Sequence, residues 1–283
     1  MTLDLSVVIP TKNESKNLPG CLEALGRDFA AHVYVIDSSS TDNTTAIAAE
    51  WGAQVLPFDW DGRFPKKRNW FLRNHPPSTA WVLFLDADEY LTDSFKKELR
   101  AVLPASNDNG YWLNYTVHFL GAELRHGYPL QKLALFRVGE GEYERIDEDE
   151  WSALDMEIHE HPIINGSVSR IRSKIVHHDY RGIYHYIAKH NEYSSWEANR
   201  YVNRFEGKIS RQLTRFQRIK YAIMGSPFAG VVYFFGAYVL MGGFLDGKRG
   251  FLFALLKMSY FTQVYCKVFE LNSGLIHSDS AQK

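Results

Sequence analysis

The segment LDADEY sets two carboxylates, Asp86 and Asp88, two residues apart just past an apolar run, Trp81–Leu85. In an extended chain, side chains at i and i+2 share a face. The pair can therefore converge on a hard divalent cation, Mg2+ or Mn2+, through oxygen ligands. Such an ion keeps positions open for substrate phosphates and neutralises charge on a departing nucleoside diphosphate. The plainer reading is a solvated acidic turn that caps the next helix. A lone DxD is a weak motif, and its place directly after a buried strand is what favours the functional reading.

Two more polar clusters, Thr11–Glu14 and Asp37–Asp42, follow apolar runs in the same way. Asp37 and Asp42 also suit the simpler task of capping a helix. The basic run Lys66–Arg68 offers an arginine, the side chain best matched to paired hydrogen bonds with phosphate; its alternative is a solvated helix face.

Those clusters need a frame. Leu3–Pro10, His32–Asp37, Gln54–Phe58 and Trp81–Leu85 read as short strands rich in apolar and β-branched residues. Helices are expected between them. One is capped by Ser15 and runs to Leu25 before Gly26, and one is capped by Ser40 or Thr41 and stopped by Gly52. A third covers Lys66–Asn74 ahead of Pro76 and Pro77, and a fourth is capped by Thr92. Alternating strands and helices predict an α/β domain with a mostly parallel central sheet. Ligands bind such sheets at the carboxyl ends of the strands, where all three polar clusters fall. Gly110 to about Val176 is aromatic and β-like, and helices follow from Ile183. The expected division is 1–182 as a catalytic domain, with 1–100 facing the nucleotide and 101–182 facing the acceptor. Residues 183–283 form a helical region.

Four segments in order, VVIPTKNE, VIDSSSTDNT, KKRNW and LDADE, resemble glycosyltransferase family 2. The resemblance implies the GT-A fold, a nucleotide-sugar donor and inversion at the anomeric carbon. IHEHP, IVHHDYR and LDGKRGF further resemble the bacterial subgroup that adds glucose to the lipopolysaccharide core. Carried onto this chain, the family pattern puts Thr11, Asn13 and Glu14 at the nucleoside. Asp37 falls at the base, where it accepts the N3–H of uracil and favours a UDP-sugar. Lys67, Arg68 and Asn69 fall at the diphosphate or donor sugar. Asp86 and Asp88 serve the metal and the donor, with His177 as a late metal ligand. Inversion by direct displacement needs a general base near the acceptor hydroxyl. Asp155, Glu157 and Glu160 are the candidates, and Glu160, in IHEHP, is preferred; a surface pairing of Glu160 with His159 or His161 is the alternative.

In the last third, Arg200, Arg204, Lys208, Arg211, Arg215 and Arg218 recur at steps of three and four and mark one helical stripe. Tyr221–Leu245 is uncharged, and Phe251–Phe269 is apolar apart from Lys257 and Lys267. A basic stripe beside an apolar hairpin suits an anionic membrane surface and a glycolipid acceptor. It places the chain at the cytoplasmic face of the inner membrane, lying on it or partly inserted. The same pattern serves a dimer interface, which leaves a homo-oligomer open, or a buried helical pair.

The chain has 283 residues, 45% hydrophobic, with a net charge of −1. That balance gives no general attraction to nucleic acid. Two cysteines, Cys21 and Cys266, suggest no disulfide framework and fit a reducing compartment. Met1–Pro10 reads as a strand and not as a signal peptide. A sugar nucleotidyltransferase or a dehydrogenase would need a glycine-rich loop after the first strand. PTKNESKN has no glycine. A catalytically silent, membrane-bound sugar- or nucleotide-binding scaffold is the non-enzyme alternative, and the intact Asp86–Asp88 pair speaks against it.

Overall fold

The structure is a computed structural model that describes residues 2–145, 155, 162–205 and 222–273. It divides into two compact units, Met1–His118 with Pro129–Tyr180, and Phe119–Tyr128 with Arg181–Lys283. Residues 119–128 thus belong by their contacts with the helical end of the chain, although sequence order counts them with the first 182.

The first unit is built on β1 (Leu3–Thr11), β2 (Ala30–Asp37), β3 (Gln54–Pro57) and β4 (Trp81–Phe84). All pairings among these are parallel. Crossovers between them carry α1 (Leu18–Leu25), α2 (Thr44–Trp51) and α3 (Lys67–Asn74), as parallel neighbours require. β5 (Glu89–Tyr90), α4 (Asp93–Val102) and β6 (Gly110–Phe119) follow. Later come β8 (Leu130–Arg137), β9 (Gly141–Tyr143), β10 (Pro162–Ile164) and β11 (Val168–His177), while β7 (Ala122–Leu124) lies in the second unit. The sheet runs β3-β2-β1-β4-β8-β6-β11-β5. β8 is antiparallel to both of its neighbours, and β6 and β11 are parallel. No helix lies between β6 and β8, so the chain doubles back and the far half of the sheet is mixed.

β1 is buried along almost its whole length because it is central, with parallel partners on both sides. After β3 the chain crosses back to β4 on the other side of β1. The carboxyl ends of β1, β2 and β4 therefore flank the point where winding reverses, the usual crevice for a ligand in an open α/β sheet.

Some helix starts differ from expectation. α1 begins at Leu18 after Asn17 and α2 at Thr44 after Asn43. Ser40 and Thr41 do not cap α2, because they bond to Asp37 and Asn13. Thr92 does cap α4, its Oγ1 accepting from the Phe95 N–H at 3.2 Å.

In the second unit α5 (Gly182–Phe205) packs with α7 (Gly247–Asn272). α6 (Ala229–Phe234) runs into a wide turn at Phe235–Leu240 and a tight one at Gly243–Asp246. Ala198, Met224, Tyr260, Val264 and Val268 form its core. Of the expected basic stripe, Lys208, Arg211, Arg215 and Arg218 lie outside the described residues.

Candidate active site

The loops after β1 and β2 are stitched into one surface. Register places Thr11 beside Asp37, and the buried Thr11 hydroxyl donates to Asp37 Oδ1 at 2.9 Å. The Ser40 hydroxyl donates to Asp37 Oδ1 and its N–H to Oδ2, at 2.5 and 2.8 Å. Three of the roughly four acceptor sites of the carboxylate are thus used inside the chain, and one is left. Asn13 adopts a φ of 56°. Its N–H donates to Ser40 Oγ at 2.8 Å, and its Oδ1 accepts the Thr41 N–H at 2.8 Å. The Glu14 carboxylate accepts from Asn17 at 3.0 Å. Asp42 accepts the N–H groups of Thr44 and Ser15. Burial would raise its pKa, but these bonds outweigh it and bring the group down to about 2. Thr11 and Glu14 therefore act first as braces of the loop, while Asn13 is the exposed member of the trio.

The start of α3 is not a solvated face: Lys66, Lys67, Arg68 and Asn69 are all buried. Lys67 reaches under β1, donating to the Thr11 carbonyl at 3.0 Å and facing Asp155 Oδ2 at 3.3 Å. Burial lowers its pKa, and Asp155 pulls the other way. The partner effect on Asp155 mirrors this. Burial would raise its carboxyl, but Lys67 holds it below its ordinary range. A general base needs a pKa near the working pH, so a lysine-paired Asp155 is a poor one. Asn69 is fully buried, with its amide exchanging two hydrogen bonds, both 2.9 Å, with the Tyr143 backbone. These bonds anchor β9 to the start of α3.

Arg68 turns to the acidic turn. Its Nη2 donates to Asp86 Oδ1 at 2.8 Å, and its guanidinium lies 5.4 Å from the Tyr143 ring centre. The other Asp86 oxygen accepts from Lys132 at 2.6 Å. Lys132 also pairs with the buried Glu89. Burial pushes Glu89 up to about 7 even with Lys132 holding it down. For Lys132 the balance reverses: burial would lower it, but Asp86 and Glu89 keep it well above the ordinary lysine range. Sequence reading missed Lys132. The available signal was a lysine opening the apolar strand LALF, with its partner glutamate inside a strand pair.

Asp86 and Asp88 part company here. Asp86 is tied to two cations, whereas Asp88 Oδ2 faces His177 Nε2 at 3.6 Å. His177 pairs with Glu89 in the β11–β5 register, and the His178 N–H donates to the Asp88 carbonyl at 2.9 Å. A carboxylate oxygen and an imidazole nitrogen at this separation fit two adjacent positions around one Mg2+ or Mn2+. Among the described residues no group of three or more His, Cys, Asp or Glu could hold a metal unaided. Glu157 and Glu160 lie outside the described residues.

Comparison with known proteins gives a consistent picture. The model of the family described as Glycosyl transferase family 2 matches residues 6–151. The lipopolysaccharide core biosynthesis glycosyltransferase LpsC of Rhizobium meliloti is 26% identical over 280 residues, covering 95% of this chain and 93% of that one. The mannosyltransferase PcManGT of Pyrobaculum calidifontis, solved with GDP-Man and Mn2+, shares the fold. Its TM-score is 0.52 at 15% identity, over 95% of this chain and 88% of that one. A match to glucosyl-3-phosphoglycerate synthase of Mycobacterium tuberculosis is partial, with 24% identity and a TM-score of 0.32. It covers 40% of this chain and 44% of that one, less than half of either.

Proposed function

This chain belongs to glycosyl transferase family 2, and from that premise we propose that it moves a hexose from a UDP-sugar to a lipopolysaccharide-core or other lipid-linked glycan, with inversion. Glucose is the hexose we assign first. The observation that carries the reading is the Asp88–His177 pair, 3.6 Å apart where β5 meets β11, with Asp37 at the end of β2 keeping one acceptor site. Full-length similarity to a lipopolysaccharide core transferase supports the acceptor class. The Mn2+ in the mannosyltransferase of like fold supports a divalent cofactor.

Each residue has a task on this reading. Asp37 uses its remaining acceptor site for the base. Arg68 and Lys132 fix Asp86 from both sides, so that its outer lone pairs meet a ribose or sugar hydroxyl. Asp88 and His177 hold Mg2+ or Mn2+, which when bound neutralises charge on the leaving UDP. As the acceptor oxygen bonds to the anomeric carbon, the carbon–oxygen bond to phosphate breaks and its electron pair leaves with UDP. Glu160 takes the acceptor's proton. With Asp155 committed to Lys67, Glu160→Gln is expected to reduce turnover about 10²–10⁴-fold; unchanged turnover removes Glu160 from the role.

A two-ligand metal position predicts coupling. Mn2+ alone is expected to bind weakly and UDP alone weakly, each strengthening the other by the same factor. Calorimetry on the full chain, with UDP and Mn2+ in either order and GDP as control, measures this directly. Equal UDP affinity with and without metal would remove the metal from the donor site. Preference for GDP would overturn the uridine assignment.

A further inference from the structure

The second unit leaves an apolar surface open along a single stretch of chain. Phe228, Phe235, Leu240, Met241, Phe244 and Leu245 are all exposed, Leu240 by 84%. Single exposed apolar side chains are ordinary, whereas a concentration in eighteen residues marks a contact surface. Behind them lies an aromatic bed: Tyr238 is 5.2 Å from Phe234 and 5.6 Å from Phe251 between ring centres.

Charges that interrupt the apolar sequence are turned inward. The Asp246 carboxylate, 7% exposed, accepts the N–H groups of Arg125 and His126 at 3.1 and 2.9 Å. Lys257 sits 3.2 Å from His190 Nε2 and 5.0 Å from the Tyr128 ring centre. Lys267 lies 2.7–2.8 Å from oxygens of Asn191, Ser194 and Ser195 on α5. The outer face is therefore more apolar than its composition. Two basic residues stay outside next to the turn. Lys248 and Arg249 are exposed beside Leu245. No acid occurs between Glu206 and Asp246, while Lys208, Arg211, Arg215, Arg218 and Lys220 do.

The bend is locked by close backbone approach. A Cβ on Gly250 would meet the Gly243 carbonyl at 2.0 Å, and one on Gly230 would meet the Met258 carbonyl at 2.5 Å. Among the described residues no single helix is long and apolar enough to cross a membrane, and the pair Ala229–Leu240 and Gly243–Asn272 is bent by 75°.

We infer that the Phe228–Leu245 turn seats in the interfacial layer of an anionic lipid bilayer, entering one leaflet, with Lys248 and Arg249 beside it at the headgroups. Apolar burial and headgroup attraction act together in such contacts. A second copy of the chain would cover the apolar face equally well. It would, however, bring Lys248 and Arg249 of one copy toward those of the other, which like charge opposes.

The test is sedimentation of the full chain with vesicles of phosphatidylcholine alone or mixed with phosphatidylglycerol. Binding is expected to the mixed vesicles above the neutral ones, and to weaken with salt. The double variant Leu240→Ser/Leu245→Ser replaces two exposed side chains. It is expected to keep its circular dichroism and its UDP binding while vesicle partition falls about ten-fold or more. Three results would overturn the inference. The variant could bind mixed vesicles like wild type, or wild type could bind neither vesicle. Light scattering could instead show the variant turning a dimer into a monomer with vesicle binding unchanged, making the face a copy-to-copy interface. The vesicle result stands apart from the donor assignment, because UDP binding is read separately.

Discussion

Asp88→Asn is expected to lower sugar transfer on the order of 10²–10³-fold, the usual loss when one preorganised electrostatic stabiliser is removed. The substitution keeps the shape of a side chain that is 4% exposed, and the Asp88 carbonyl that accepts from His178 is untouched. Folding should survive, and the change removes one negative charge from beside His177. A neutral amide is a weaker ligand for a hard cation than a carboxylate. UDP affinity in Mn2+ should therefore fall to the value seen without metal, while the metal-free value stays where it was. That pattern separates a lost ligand from a damaged pocket, which would weaken both. A variant with full turnover would show that Asp88 is only a strand-end acid and would sink the metal position.

Lys132→Met is expected to be the most damaging change outside the acidic turn. Lys132 is the shared partner of Asp86 and Glu89. Removing one member of a buried ion pair costs about 3–5 kcal/mol, and because the lysine side chain keeps 32% exposure the lower end applies. Turnover should fall about 10–100-fold, by analogy with the loss of a group that orients a site residue, because Asp86 then loses its lysine partner and keeps Arg68. Lys132→Arg should recover part of both losses. The pH dependence carries the diagnosis. Glu89 titrates at about 7 in the fold against an ordinary 4.5, and losing Lys132 moves it higher. A raised folded pKa contributes stability that is complete below the unfolded pKa and is lost as pH rises through the folded one. The gap in Tm between wild type and Lys132→Met should thus widen from about pH 6 to about pH 8, and Glu89→Gln in the variant should narrow it again. Equal Tm and turnover in wild type and Lys132→Met would show that the cluster is dispensable.

Much of the frame was legible before any coordinates. Strands that are central and parallel are buried on both faces, so WVLFL announces itself as an unbroken apolar run and LDLSVVIP as one interrupted only by Asp4 and Ser6. The polar residues that follow must lie at their carboxyl ends. Helix starts were less legible. Ser40 and Thr41 are good caps by type, yet both serve the loop against Asp37 and Asn13, a competition that only packing resolves. The site divides in the same way. Residue type and spacing singled out Asp86 and Asp88 as a pair. Of their opposite partners, Arg68 comes from α3, just before the turn, while Lys132 and His177 come from β8 and β11, which enter the sheet some forty and eighty residues later. Lys67 and Asn69 follow the same rule: basic and amide side chains at a helix start suggest a phosphate, and only the fold shows that Lys67 also bonds to the end of β1 and Asn69 to β9.

Local sequence thus determined the elements and the presence of an acidic, strand-end site, because apolar periodicity and turn chemistry act over a few residues. Which carboxylate is neutralised by lysine and which faces histidine was decided by the tertiary structure alone. Ion pairing depends on distances of a few ångströms between residues far apart in the chain, and only the strand order of the sheet sets those distances.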